Sequence, residues 1–157
     1  MRRYHLRAGA LLLMCTAAAN ARNEAAAQCS PGTESSRAIV RDFYQLALIE
    51  RQPREAFGRY MSADFIDHKA DLAQPTREGI AAYLQGMIET LPEARWEVLR
   101  IVADGDMVSL HARFTPAPKA PPYAIADFFR LKNCKIVEHW DVIAEQPKVQ
   151  RNPNSRF

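Results

Sequence analysis

The sequence has little net charge, few cysteines and no apolar run of membrane-spanning length. The formal net charge is +3, and part of it comes from Arg2, Arg3 and Arg7 at the N-terminus. No basic stripe is visible elsewhere, which argues against nucleic acid as a partner. The apolar run near the N-terminus falls short of the roughly 20 residues that a membrane-spanning helix needs. The 157 residues fit one domain of ordinary size.

The N-terminus has the three-part pattern of a secretory signal peptide. Arginines precede an apolar segment at 8–14, and small residues at 19–21 or 25–27 offer cleavage sites. We expect residues 1–28 to be this signal and the protein to be secreted or periplasmic. The alternative is a start codon assigned upstream of a cytosolic domain.

Three cysteines are present, and Cys15 leaves with the predicted signal. Cys29 and Cys134 remain, and an oxidising compartment would allow them to pair. The alternative is two unrelated thiols, because the sequence does not give the Cα separation that a disulfide requires.

Helical patterns dominate the first half of the predicted domain, residues 29–147. Apolar residues at helical spacing predict a helix over 33–51 and a shorter one over 54–61 that starts after a proline. Thr76 is the expected N-cap of a third helix, which ends before Pro92. The segment 62–75 is expected to be irregular.

Four strands are predicted after the helices. They span 96–102, 107–115 and the two halves of 122–147, which meet at Asn133-Cys134. A polar and loosely held tail, 148–157, follows. Helices followed by antiparallel strands indicate an α+β fold. The last hairpin is apolar on both faces, so we expect helices to cover one face and a second copy, in a homodimer, the other.

The final strand carries an imidazole and a carboxylate that point the same way. Side chains alternate along a strand, so one face carries Val137, His139, Asp141 and Ile143. The opposite face would then carry Ile136, Glu138, Trp140 and Val142. A carboxyl group among apolar neighbours is desolvated, which strengthens it as a base.

Two motifs in this order of elements carry a family resemblance. The segments FIDH at 65–68 and KIVEHWDVI at 135–143 resemble the SnoaL-like polyketide cyclases of the nuclear transport factor 2-like superfamily, in particular its predicted aldol-condensation proteins. The match covers about 36–147. It implies a cone-shaped α+β barrel, in which a curved antiparallel sheet wraps around N-terminal helices and encloses an apolar pocket, usually in a homodimer.

The resemblance also implies roles for individual residues. Asp141 matches the acid/base aspartate of the cyclases, and His68 matches a histidine that recurs in the group. The sequence departs from the group at Lys69-Ala70, where Asn-Pro is common, and at Ala144, where glutamine is common. These departures concern the substrate class more than the fold.

We therefore predict cofactor-independent acid/base chemistry, an aldol-type cyclisation or isomerisation, on an apolar or carbonyl-containing small molecule. Asp141 would take a proton next to the carbonyl, and His68, His111 or a tyrosine would donate to the oxygen that gains charge. The candidate catalytic residues are Asp141, His68 and His111. The candidate substrate-binding residues are Tyr44, Tyr83, Asp127, Phe129 and His139. This scheme requires no metal.

Alternatives stay open at this level. The pocket could be a non-catalytic binder of small molecules, with Asp141 as an anchor or a structural carboxylate. A metal site would draw on His68, His111, His139 and Asp141, although no two of these histidines have close ligand spacing. His111 would face solvent if its neighbours on the strand form the core-facing set. The face of Asp127 depends on the pairing register.

Overall fold

Helices come first in this fold and most of the strands follow. A computed structural model describes residues 31–157. The helices are α1 (Thr33–Tyr44), α2 (Pro53–Tyr60) and α3 (Arg77–Thr90), and a π-helical turn (Gln45–Ile49) extends α1. The strands are β1 (Met61–Asp67), β2 (Arg95–Asp104), β3 (Met107–Thr115), β4 (Tyr123–Lys132) and β5 (Lys135–Ala144). No helix within 31–157 combines the length and hydropathy needed to span a membrane.

The predicted signal segment lies outside the described residues, and so does Cys29. Export and the pairing of Cys29 with Cys134 therefore stay predictions.

The five strands form one curved, open sheet in the order β1-β5-β4-β3-β2. β1 runs parallel to β5, whereas every other neighbouring pair is antiparallel. The helices pack against one face of the sheet, and the core lies between them. The predicted α+β class is confirmed, but the sheet is mixed rather than wholly antiparallel, and it does not close into a barrel.

The apolar stripe of α1 packs into the core, as its spacing predicts. Val40, Phe43, Tyr44 and Leu48 are all buried. Phe43 meets Phe57 of α2 edge to face at 5.1 Å between ring centroids. Such aromatic pairs add to the free energy gained by burying the rings, so they fix the helices at this end of the core.

The expectation that 62–75 is irregular is wrong for its first part. Residues 61–67 form β1, and its buried residues are Met61, Phe65 and Asp67. The strand pairs with β5, which lies some seventy residues further along the chain, with Asp67 opposite His139. Backbone pairing with so distant a partner decides the conformation here, because the polar side chains in the segment give only a weak strand pattern.

The last hairpin has the predicted turn but an unpredicted bulge. Asn133 and Cys134 both have positive φ, 50° and 59°, as a two-residue type I′ turn requires. Leu131 pairs with Ile136 while Arg130 pairs with Glu138, so Val137 is an extra residue in β5. The bulge reverses the alternation of side chains at that point. Ile136 is therefore fully buried on the helix-facing side, and its predicted place beside Glu138 and Trp140 is wrong.

The tail after Pro147 forms neither helix nor strand, yet its end contacts the sheet. The Arg156 guanidinium donates to the carbonyl oxygens of Ala144 and Glu145, at 3.2 and 2.8 Å. The Phe157 ring lies 4.4 Å from the guanidinium carbon of Arg113. The prediction of a loose tail is wrong for these two residues.

Helix α3 begins at a tight crossing. Thr76 caps it as predicted, and its hydroxyl accepts a hydrogen bond from the Gly79 amide at 3.2 Å. A Cβ atom at Gly79 would lie 2.2 Å from the carbonyl oxygen of Gln74, so only glycine fits. This crossing sets the direction of a helix that contributes four side chains to the cavity described below.

Two glycine substitutions in α3 should have opposite effects. Gly79→Ala is expected to destabilise the protein by about 1–3 kcal/mol, because the backbone of Gln74 has to move. Gly86→Ala has open space within 4 Å and should stabilise it by about 0.5–1 kcal/mol through helix propensity. Urea unfolding of both variants measures this difference. Equal stabilisation by the two alanines would show that Gly79 makes no such close approach.

Candidate active site

A cavity of about 230 Å³ lies between the helices and the inner face of the sheet. Its walls are mostly apolar and aromatic. All three helices and all five strands contribute residues, although β1 contributes only its first, Met61. The volume is just below the low end, about 300 Å³, of ordinary ligand pockets, so it suits a small molecule. Tyr83 and Ile143 line the cavity and are about half exposed, at 47% and 46%, which places them at its opening.

Strands β4 and β5 carry most of the polar side chains that line the cavity. In their register Asp127 lies opposite Asp141, and Phe129 lies opposite His139. All four side chains line the cavity. The predicted common face of His139, Asp141 and Ile143 is therefore observed, and the register settles the face of Asp127.

A buried chain of hydrogen bonds runs through His139. Its Nδ1 lies 2.9 Å from Asp67 Oδ2, and its Nε2 lies 3.1 Å from Asp127 Oδ1. Burial lowers the pKa of His139, but the hydrogen bonds and negative charges of the two carboxylates outweigh it and raise the pKa to about 9. Both ring nitrogens therefore donate protons at neutral pH, and His139 is an imidazolium between two carboxylates.

The two carboxylates have further partners. Asp67 accepts a hydrogen bond from the backbone amide of Lys69 at 2.8 Å. Burial raises the pKa of Asp67, but hydrogen bonds from His139 and this amide, with the nearby cations, lower it overall. Burial, the charge of Asp127 and a hydrogen bond to Asp127 raise the pKa of Tyr44 well above its ordinary value. Tyr44 therefore stays protonated, and its hydroxyl donates a hydrogen bond to Asp127.

A second ion pair joins Lys69 to Asp141. Lys69 Nζ lies 3.1 Å from Asp141 Oδ2, and each side chain is only about one-seventh exposed, at 15% and 14%. Lys69 Nζ also lies 3.2 Å from the exposed Asp71. Within 31–157 the Asp141 carboxylate accepts no other hydrogen bond, so its second oxygen is open, and the side chain lines the cavity.

The predicted site residues divide clearly by position. Asp141, Tyr44, Tyr83, Asp127, Phe129 and His139 all line the cavity. His68 and His111 do not. The His68 ring stacks on Trp140 at 4.5 Å between centroids, on the outer face of the sheet. His111 faces outward too, with Nδ1 2.9 Å from Arg100, because Val108, Leu110 and Ala112 are the core-facing set on β3.

The positions of His68 and His111 therefore do not fit their predicted role as proton donors to the substrate. Neither can donate a proton to a molecule in the cavity. The four ligands of the metal alternative do not converge, and the described part of the chain holds no group of three or more His, Cys, Asp or Glu side chains suited to a metal ion.

Sequence reasoning missed two residues of the site, Asp67 and Lys69. The available signal was the alternation of Phe65 and Asp67, which both face inward once 61–67 is treated as a strand. The unusual Lys69 was visible only as a departure from the family pattern. Its contact with Asp141 depends on the pairing of β1 with β5.

The sequence profile of the SnoaL-like domain matches residues 40–139, well over half of the chain. The protein belongs to the SnoaL-like domain family. No curated protein sequence matches the chain.

Solved structures resemble the fold at low sequence identity. A proposed polyketide cyclase from Bacillus cereus is 20% identical over 69% of this chain and 74% of its own, with a TM-score of 0.60. A proposed ketosteroid isomerase from Kribbella flavida is 19% identical over 79% and 86%, with a TM-score of 0.58. An NTF2-like protein of unknown function from Mesorhizobium loti is 16% identical over 74% and 97%, with a TM-score of 0.61. These similarities establish the NTF2-like fold, which alone does not name a reaction.

Proposed function

We propose that this protein carries out acid/base chemistry, an aldol-type cyclisation or an isomerisation, on a small carbonyl-containing molecule, without a cofactor. The observation that carries the proposal is the Asp141 carboxylate. It lies in a mostly apolar cavity with one oxygen held by Lys69 and the other open. A general base must be held in place and must reach the proton it removes. The hydrogen bond from Lys69 and the place of Asp141 in the cavity wall support this role.

The other ionic groups of the cavity wall hold the site in shape. Both nitrogens of His139 are occupied by Asp67 and Asp127, so its imidazolium has no proton left for a ligand. Tyr44 is likewise occupied by Asp127. These residues fix β1, β4 and β5 relative to one another, which positions Asp141 on β5 and the chain around Lys69.

The apolar walls set the kind of substrate. A mostly hydrocarbon molecule with one or two carbonyl groups matches a cavity that is aromatic and aliphatic except at this polar end. Aldol chemistry starts with removal of a proton from the carbon beside a carbonyl, which is the step assigned to Asp141. The relatives described as a polyketide cyclase and a ketosteroid isomerase support this class of substrate.

Ligand identification followed by an exchange assay tests the proposal. Native mass spectrometry of the purified protein should show one small carbonyl compound per chain. In D₂O, NMR should then show protein-dependent exchange of the hydrogens next to its carbonyl. A retained ligand with no exchangeable hydrogen, or with exchange no faster than in buffer, would favour a non-catalytic binder.

We also propose a homodimer formed through the outer face of the sheet. Phe128 and Val142 on adjacent strands expose apolar side chains there, and Ile66, which pairs with Glu138 from β1, is half exposed as well. Ile136 plays no part, because the bulge turns it inward.

A charge on this face should dissociate the dimer. Val142 is 61% exposed in the single chain, so Val142→Glu should leave the fold intact while placing a carboxylate in the interface. Light scattering should report a dimer for the wild type and a monomer for the variant. Val149→Glu, which changes a 71% exposed valine in the tail, is the control. A wild-type monomer at micromolar concentrations would contradict the proposal.

Export by residues 1–28 is a further proposal, supported by their signal-like pattern. Fusing these residues to a reporter should direct it out of the cytoplasm with cleavage near Ala21 or Ala27. A reporter that stays in the cytoplasm uncleaved would overturn it.

A further inference from the structure

Lys69 contributes a partly buried cation to a cavity whose walls are otherwise mostly apolar. An ammonium group has three N–H donors. Two of them are directed to Asp141 and Asp71, at 3.1 and 3.2 Å. The described residues offer the third donor no hydrogen-bond acceptor, and Lys69 lines the cavity beside the open oxygen of Asp141.

The buried ion network fixes the backbone from which Lys69 projects. Asp67 accepts the Lys69 backbone amide at 2.8 Å, and Asp67 is itself held by His139 at 2.9 Å. The amide of His68 also donates to the carbonyl oxygen of His139 at 2.9 Å. These hydrogen bonds tie the start of the loop after β1, which carries Lys69, to the sheet.

We infer that Lys69 is the oxyanion-binding residue of the site: its third N–H holds the carbonyl oxygen of an enolisable ketone, and then the enolate oxygen that forms when Asp141 removes the neighbouring proton. The inference rests on the proposed function. It narrows the substrate class to carbonyl compounds that have a hydrogen on the carbon next to the carbonyl group.

The proton and charge balance explains why this cation suits the step. The C–H bond breaks, its proton moves to Asp141, and the electron pair forms a carbon–carbon double bond while the carbonyl π electrons move onto oxygen. Negative charge thus passes from Asp141 to the substrate oxygen. In this step Lys69 contacts both the Asp141 carboxylate and the substrate oxygen, so its ammonium group stays paired with a negative charge throughout. Its orientation is set before the reaction begins.

Lys69 stays charged under these conditions. Burial lowers the pKa of its ammonium group, but the hydrogen bonds and charges of Asp141 and Asp71 raise it overall. It therefore acts as a hydrogen-bond donor and not as a neutral amine. His139 and Tyr44 have no donor to spare, and Tyr83 lies at the opening, half exposed.

Binding of 4-nitrophenol tests the inference without any turnover. Its anion resembles an enolate in placing negative charge on an oxygen next to a planar carbon frame, and its colour reports ionisation. The titration is done in the Asp141→Asn protein, in which Lys69 is released from Asp141 and keeps only the exposed Asp71 as a carboxylate partner. The bound phenol should ionise at a lower pH than the phenol in buffer.

Replacing Lys69 in that background should remove the effect. Asp141→Asn/Lys69→Met is expected to bind the anion about 10- to 100-fold more weakly, the usual worth of a hydrogen bond to a charged group. Asp141→Asn/Lys69→Arg should keep most of the preference for the anion, because it restores the cation. Asp141→Asn/Lys148→Met, altered at an exposed tail lysine, is the matched control and should behave like Asp141→Asn alone.

The outcomes separate the two proposals. Unchanged anion binding in the Lys69→Met protein overturns the role of Lys69. If Tyr83→Phe weakens anion binding instead, the contact belongs to Tyr83. Failure of the wild-type protein to exchange the hydrogens of any bound ketone overturns the proposed function and leaves the nitrophenol result to stand on its own. Near-ultraviolet circular dichroism confirms that each variant is folded.

Discussion

Replacing His139 by glutamine is expected to lower the free energy of unfolding by about 3–5 kcal/mol, the usual cost of removing one partner from a buried ion pair. Asp67 and Asp127 are both nearly inaccessible, and His139 is the cation between them. Glutamine fills a similar volume but supplies no charge and can donate to only one side at a time. Urea unfolding near pH 7 measures the loss. The control is His68→Gln, because His68 lies stacked on the outer face and should cost little.

The same histidine should make the wild-type protein sensitive to alkaline pH. Its pKa rises from an ordinary 6.5 to about 9 on folding, so the folded state binds more protons than the unfolded state between these values. This contribution is fully present below pH 6.5 and is lost as pH rises through 9. The shift corresponds to about 3 kcal/mol.

Asp67 makes the stability of the protein sensitive to acid rather than to alkaline pH. Its pKa is lowered from 3.8, so its contribution is present above that value and is lost as pH falls further. Stability should therefore be highest between about pH 4 and 6.5 and should decline toward pH 9. The His139→Gln protein should show no such alkaline decline. A wild-type curve that is flat from pH 6 to 9 would contradict the buried imidazolium.

Replacing Asp141 by asparagine should abolish most activity and leave the fold in place. Asparagine keeps the shape of the side chain and still accepts a hydrogen bond from Lys69, but it cannot take up a proton. Turnover of an enolisable ketone should fall by about 10²–10⁴-fold, the usual worth of a positioned general base. Affinity for apolar ligands should persist, because the walls of the cavity are unchanged.

A thermal melt separates catalysis from structure in this variant. The melting temperature should change little, since Lys69 keeps Asp71 as a partner. Asp104→Asn, at an exposed end of β2, is the control and should retain both activity and stability. If Asp141 served only to hold the fold, the melting temperature would drop while the folded fraction kept its activity.

Local patterns were sufficient for much of the fold. The stripe of α1, the cap at Thr76 and the strand 107–115 were all predicted from side-chain periodicity and capping chemistry, which act within a few residues. The inward face of His139 and Asp141 followed from the same alternation. Where side chains contact their neighbours in sequence, the sequence is informative.

The errors at Ile136, in β1 and at Lys69 depend on distant partners. Ile136 changes face because β5 carries an extra residue opposite Leu131, and pairing with β4 decides where that residue falls. β1 forms because β5 offers it a backbone partner, and Asp67 becomes buried only because His139 lies beside it. Lys69 joins the site for the same reason. The sequence supplied these residues but not the register that brings them together.

The outward position of His111 had a local signal that competed with the functional one. Val108, Leu110 and Ala112 alternate as core residues, and this pattern places His111 on the opposite face. The structure follows the apolar pattern, because burying three apolar side chains outweighs any preference of one imidazole.

The most direct test of the role of Asp141 is the rate of hydrogen exchange at the carbon beside the carbonyl of a bound ketone. NMR in D₂O measures this rate for the wild type and for Asp141→Asn at equal concentrations of folded protein. The proposed mechanism predicts exchange that is slower in the variant by about 10²–10⁴-fold, with ligand binding retained. Equal exchange rates in two equally stable proteins would contradict it and would remove Asp141 from the mechanism.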